Sequence, residues 1–234
     1  ATPSIAPATP TPLLAAPATP TPPPTPTAAA DPAPTVPAGA IVLSPRASTY
    51  LSAWAPRDTH WREPSFAVQT GEVSRGLLAF DLRGLPAGAA VEQAWLNLHV
   101  QGRSSAVPLA VLAYGLWQPW DSCTVSWVQR TVLHTWERPG ALAPGVDCDP
   151  RAAAAQEVAC DQCWLSLDVT PLVQQWLADP ASNHGVLLRG SGHDPVEYRF
   201  SGLGEPVQQP QLVVLLSGDI APVPAPATSL IPRR

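Results

Sequence analysis

Four cysteines are the residues best suited to chemistry in this chain: Cys123, Cys148, Cys160 and Cys163. Cys160-Asp161-Gln162-Cys163 has the two-residue spacing of a zinc-ligand pair. The same spacing serves thiol–disulfide exchange where a helix N-terminus lowers a thiol pKa. Here Trp164-Leu165-Ser166-Leu167-Asp168 follows, which alternates like a strand, so the redox reading lacks its helix. An even set of cysteines in an exported chain makes disulfides, and four cysteines allow three pairings. We expect Cys148–Cys160 to close the Ala-rich stretch between them and Cys123–Cys163 to pin its base.

Other ligand types are scattered. Asp58 and His60 together with His193 and Asp194 could contribute to a metal site only if the fold gathered them. Asp147, Asp149 and Asp161 could offer oxygens to a structural calcium, but their spacing matches no calcium loop. No metal or cofactor is expected. Ser191 and Ser217 lack the nucleophile-elbow pattern, and no nucleophile stands beside a base in any motif. The chain is therefore expected to be non-enzymatic.

Nine tryptophans remain. Trp95, Trp127 and Trp176 are read as packing residues rather than a sugar platform. Trp54, Trp61, Trp117, Trp120 and Trp136 fall near turns. A flat aromatic face there could stack on a sugar ring, or line a groove that takes a proline-rich segment.

The elements that position these residues are mostly strands. Ala94, Leu96, Leu98 and Val100 alternate with Trp95, Asn97 and His99 at period two. Strands are also predicted around 40–43, 48–54, 75–81, 109–114, 164–169, 185–189, 196–200 and 212–216. Thr170-Pro171 opens one short helix, with Thr170 as N-cap and Leu172, Val173, Trp176 and Leu177 on one face. Eight to ten strands with one helix predict an all-β, jelly-roll-like two-sheet sandwich.

The chain has 31 prolines, and 13 of them fall in residues 1–37. Residues 1–38 are read as a Thr/Pro-rich arm in extended polyproline II, about 3.1 Å per residue. Residues 39–218 form the body, with a cysteine-held insertion near 130–163, and 219–234 a proline-containing tail. An ordered arm must pack on something, and a neighbouring subunit is the more economical partner than its own domain. Thr9, Thr11, Thr19, Thr21, Thr25 and Thr27 are expected O-glycan acceptors, as in stalks. All 13 basic residues are Arg and none form a stripe, so no nucleic-acid partner is expected. No 18-residue apolar run marks a transmembrane segment. The start, Ala1-Thr2-Pro3, reads as the product of signal-peptide removal, giving a secreted or surface location.

Arg75 to Val100, WQPWDSCTVSW, LSLDVTPLVQQW, NHGVLLRG, YRFSG and the closing QQPQLVVLL together resemble the DNRLRE domains, also called disaggregatase-related repeats. The resemblance covers about Ala40 to Ser217. It implies a β-sandwich from large secreted or surface proteins, related to carbohydrate-binding modules. It also implies a structural framework at Phe80, Leu96, Trp127, Asp168, Thr170 and Trp176. The insertion, the arm and the absence of Lys depart from the family pattern. The expected function is an extracellular structural subunit whose arm docks on a copy of itself or another surface protein. Binding of an extracellular polysaccharide, and service as an accessory subunit of a larger surface complex, are the alternatives.

Overall fold

The computed structural model of the chain describes residues 33–86 and 89–217. Its strands are Ile41–Leu43 (β1), Pro45–Ser52 (β2), Ser65–Gln69 (β3), Ser74–Phe80 (β4), Ala90–Arg103 (β5) and Leu109–Gly115 (β6). They continue with Ala154–Val158 (β7), Trp164–Asp168 (β8), Val186–Ser191 (β9), Glu197–Ser201 (β10) and Gln211–Ser217 (β11). One α-helix, Thr170–Ala178 (α1), follows β8.

The front sheet runs β1-β11-β5-β10-β3, and the back sheet runs β2-β4-β9-β6-β7. Every pairing is antiparallel. β5 is the long central strand. Trp95, Leu96 and Asn97 pair with β11 and also with β8, so these two strands take opposite edges of β5. The result is the expected jelly-roll-like two-sheet sandwich with one short helix.

The period-two pattern decides which side chains fill it. Ala94, Leu96, Leu98 and Val100 of β5 are fully buried between the sheets with Phe66, Leu78, Phe80, Leu188, Phe200 and Val214. Each large apolar side chain buried this way contributes about 1.5–3 kcal/mol. Trp176 of α1 closes one end of this core at 2% exposure.

A second core lies on the outer face of the back sheet. Leu77 of β4 and Leu187 of β9 point outward there and meet Leu116, Val125, Trp136 and Cys148 from the excursion between β6 and β7. This explains why all seven residues of β4 are buried.

Three local expectations change. The Ala-rich stretch, read as irregular, supplies β7, which pairs with β6 from Leu109 to Ala113. Its own β-propensity is low, so the neighbouring edge rather than local preference makes it a strand. β3 went unread because its apolar run is only Phe66-Ala67-Val68. Thr170 is not the N-cap of α1; Val169 holds that position, with no side-chain cap. The Thr170 hydroxyl is spent elsewhere, donating to Asp168 Oδ1 at 2.6 Å and accepting from the Ala94 amide at 2.9 Å.

Candidate functional site

The cysteines do not pair as expected. Cys160 is bonded to Cys163, with Cα atoms 6.1 Å apart. Cys123 is a free, exposed thiol, and Cys148 a free, buried one. The reason is the tight turn into β8, where Gln162 takes a φ of 52° and folds the two cysteines together. Cys148 instead joins the second core, and burial pushes its thiol up to about 11. The Cys160–Cys163 bond also removes the zinc-ligand reading of this pair.

The excursion is organised by carboxylates rather than by cysteines. Asp147, 1% exposed, accepts hydrogen bonds from the amides of Glu137, Arg138 and Ala143 at 2.9–3.1 Å. Asp149 accepts from the Gly115 amide and from Trp117 Nε1. Asp161 pairs with Arg103 at 3.2 Å. The three aspartates considered for calcium are thus engaged with protein donors. Among the described residues no three His, Cys, Asp or Glu side chains gather as metal ligands. Asp58, His60, His193 and Asp194 form no such group.

Arg75 locks the excursion to the back sheet. It is 1% exposed on β4 and donates from Nη1 to the Gly140 carbonyl at 2.7 Å. Its guanidinium lies 5.3 Å from the Trp127 ring centre. Gly140, at φ 83°, in turn donates to the Trp127 carbonyl. Nη2 is 3.6 Å from Glu72, which pairs more closely with Arg189 at 2.5 Å. Nε and Nη2 have no hydrogen-bond acceptor. Burial first, then the charge of Arg189, pulls the Arg75 pKa down to about 10.

The turn tryptophans divide. Trp54 is 71% exposed, and Trp61 and Trp117 are also exposed, Trp61 under the Arg62 guanidinium at 4.5 Å. Trp120 is half-buried and donates to the His184 carbonyl. Trp136 is 2% exposed and donates to the Ser126 carbonyl. It packs inside the second core and offers no face to a sugar or an arm, which corrects its expected role. Of the framework residues, Phe80, Leu96 and Trp176 lie in the main core, while Trp127 braces Arg75 and Asp168 braces Thr170.

A cluster that spacing alone did not reveal joins Tyr50, His60 and Glu63. Tyr50 stacks on His60 with ring centres 4.0 Å apart, and both reach Glu63, His60 Nδ1 at 2.7 Å. Burial and Glu63 push the Tyr50 hydroxyl up to about 12. The sole signal was Tyr, His and Glu within fourteen positions, which many chains show by chance.

Two concave regions among the described residues bear on ligand or arm binding. A hollow of about 640 Å³ opens at the end of the sandwich, floored by Phe80, Leu82 and Trp176. Arg46 and Arg83 rim it, and Asn183 Oδ1 in its wall has no hydrogen-bond partner. Arg83 also chelates Asp81 and holds that carboxyl down to about 2.

The other surface begins at the root of the arm. Pro34, Thr35 and Pro37 share a cavity of about 100 Å³ with Val213 of β11, Trp95 and Asn97 of β5, and Ser166 of β8. The root therefore lies across the outer face of the front sheet. That face carries polar groups satisfied by one another: Ser166 donates to Asn97 at 2.8 Å, and His99 meets Ser201 at 3.2 Å. Beyond Trp95 and Ser166 a groove of about 450 Å³ continues between β8 and β7. The residues expected to carry O-glycans, Thr9, Thr11, Thr19, Thr21, Thr25 and Thr27, lie outside the described residues.

No helix among the described residues is long and apolar enough to cross a membrane. No protein-family model matches the chain, and no curated protein matches it.

Proposed function

We propose that the protein is a non-enzymatic structural subunit of an extracellular surface, a DNRLRE-like sandwich held in its assembly by the proline-rich arm. The observation that carries this reading is the arm root laid across three strands of the front sheet. A tether fixed over a sheet passes load into hydrogen-bonded strands, whereas one leaving from a free loop would swivel. A segment of 32 residues, the length upstream of the described root, would reach about 100 Å in polyproline II. Head-to-tail contacts of this kind build filaments or sheets where the rotation between copies does not close a ring. The Cys160–Cys163 bond suits an oxidising exterior. Sedimentation velocity of the full chain and of a chain lacking residues 1–32 tests the reading. Concentration-dependent large species from the full chain alone support it; identical monomer profiles overturn it.

A second reading is favoured by the end hollow, where Arg46, Arg83 paired to Asp81, and the unpartnered Asn183 oxygen suit a hydroxyl-rich ligand such as an extracellular polysaccharide. Affinity electrophoresis in acidic and neutral polysaccharides, with Arg46→Ala and Arg83→Ala beside the parent, tests it. Retardation lost in both variants would support this alternative.

A further inference from the structure

β7 is an edge strand with its outer side open. Among the described residues it pairs only with β6. Ala155, Gln156 and Glu157 are exposed in succession, so both faces of the strand meet water. Beside it the groove of about 450 Å³ parts Ala153 to Gln156 from Ser166 to Asp168 on β8.

An uncovered edge offers its amides and carbonyls to another strand, and edges are usually blunted by proline, a bulge or an inward charge. β2, the other edge of the same sheet, starts at Pro45 and shifts register there. β7 has neither device. Ala154-Ala155-Gln156-Glu157-Val158 holds no proline, and its register with β6 runs unbroken from Val158 opposite Leu109 to Ala154 opposite Ala113. Its alanines leave room for a second backbone at the ladder spacing of about 4.8 Å.

The charges select the partner. Arg151 is exposed just before the strand, and Glu157 is exposed near its end. Neither joins an ion pair among the described residues. Asp161, half exposed past the strand, adds an acid at the same end as Glu157. Two such strands run antiparallel bring the cationic end of each against the acidic end of the other. Run parallel, they would set Arg151 beside Arg151 and Glu157 beside Glu157, which opposes pairing. The edge is therefore complementary to itself in the antiparallel sense.

We propose that β7 pairs antiparallel with β7 of a second copy across a two-fold axis, joining two back sheets into one continuous sheet. The contact is isologous and closes on itself. It goes beyond the arm-mediated assembly and does not depend on it.

Cysteine scanning in the full chain tests the contact. A two-fold axis through an antiparallel ladder passes between a residue and its own copy, with Cα atoms about 4.5–5.5 Å apart, within disulfide reach. In a Cys123→Ser background, Ala154, Ala155 and Gln156 are changed to Cys one at a time, oxidised and mapped by mass spectrometry. One of the three is expected to bond to its own copy about tenfold faster than the other two, because its neighbours point to the opposite face. Equal rates at all three positions, or no bond at any, overturn the pairing. In the fastest variant, Glu157→Arg is expected to slow the bond about tenfold, and adding Arg151→Glu to restore it. A rate that the reversal leaves unchanged, or that the swap does not recover, overturns the antiparallel assignment. The bond is read at β7 whether or not the arm builds larger species, so the two claims fail separately.

Discussion

Arg75 offers the sharpest test of how the excursion is held. Truncation to Ala removes a charge-assisted hydrogen bond to the Gly140 carbonyl, worth about 2 kcal/mol. It also removes two buried methylenes at about 0.8 kcal/mol each, and the contact with Trp127, worth about 1 kcal/mol. Against these stands relief from burying a charge whose Nε and Nη2 have no acceptor. The net loss for Arg75→Ala is about 3 kcal/mol. Arg75→Met keeps the apolar stem and drops the charge, so its loss is about 1 kcal/mol. Arg75→Lys falls between, because a compact ammonium cannot reproduce the fork's reach to Gly140 and its stacking on Trp127. Urea unfolding followed by tryptophan fluorescence measures all three. With a slope of about 2 kcal/mol per molar, the Ala midpoint drops by about 1.5 M and the Met midpoint by about 0.5 M. Losses that are equal for Met and Ala would refute the balance between stem and charge. Three midpoints within about 0.2 M of the parent would refute the lock itself.

Further outcomes follow from the same geometry. Gly140→Ala forces a Cβ to 2.7 Å from the Trp127 ring at a φ of 83°, so it is expected to cost about 2 kcal/mol in the same assay. Asp147→Ala leaves the Glu137, Arg138 and Ala143 amides without their acceptor and is expected to lower stability by about 3 kcal/mol. Burial pushes His99 below its usual pKa, so the folded chain holds it neutral. The unfolded chain takes up a proton near pH 6.5. Stability from this group is thus present above that pH and is lost as pH falls toward the folded pKa. Melting temperatures between pH 7.5 and 5 are expected to fall less steeply in His99→Gln than in the parent. In alkylation of the native protein, Cys123 is labelled at once and Cys148 only after denaturant is added, while peptide mapping finds Cys160 joined to Cys163.

The fold was legible where one face of a strand is apolar. β5 and α1 announced themselves through period two and period 3.6, because burial on one side only leaves that trace. β4 was legible as a strand at 75–81, but not the side it buries: Leu77 and Leu78 are both buried, one in each core. β7 was hidden, since Ala154 to Val158 is a strand only by virtue of β6 beside it. The cysteine pairing failed because distance in the fold, set by a turn at Gln162, outweighed loop length as a guide. Trp136 was misplaced because a tryptophan in a loop reads as exposed until the loop is seen to fold over a sheet. Arg75 and Asp147 gave no signal, as single charged residues whose meaning lies in backbone groups 65 and 10 positions away. The arm root could be read as proline-rich, but its course over Trp95 and Ser166 belongs to the tertiary structure.

The central claim is that the proline-rich arm joins one body to the next. Negative-stain imaging of the full chain beside a chain lacking residues 1–32, at matched concentrations, addresses it directly. The account predicts filaments or sheets from the full chain and separate particles from the shortened one. Separate particles from both, or the same assemblies from both, would contradict it.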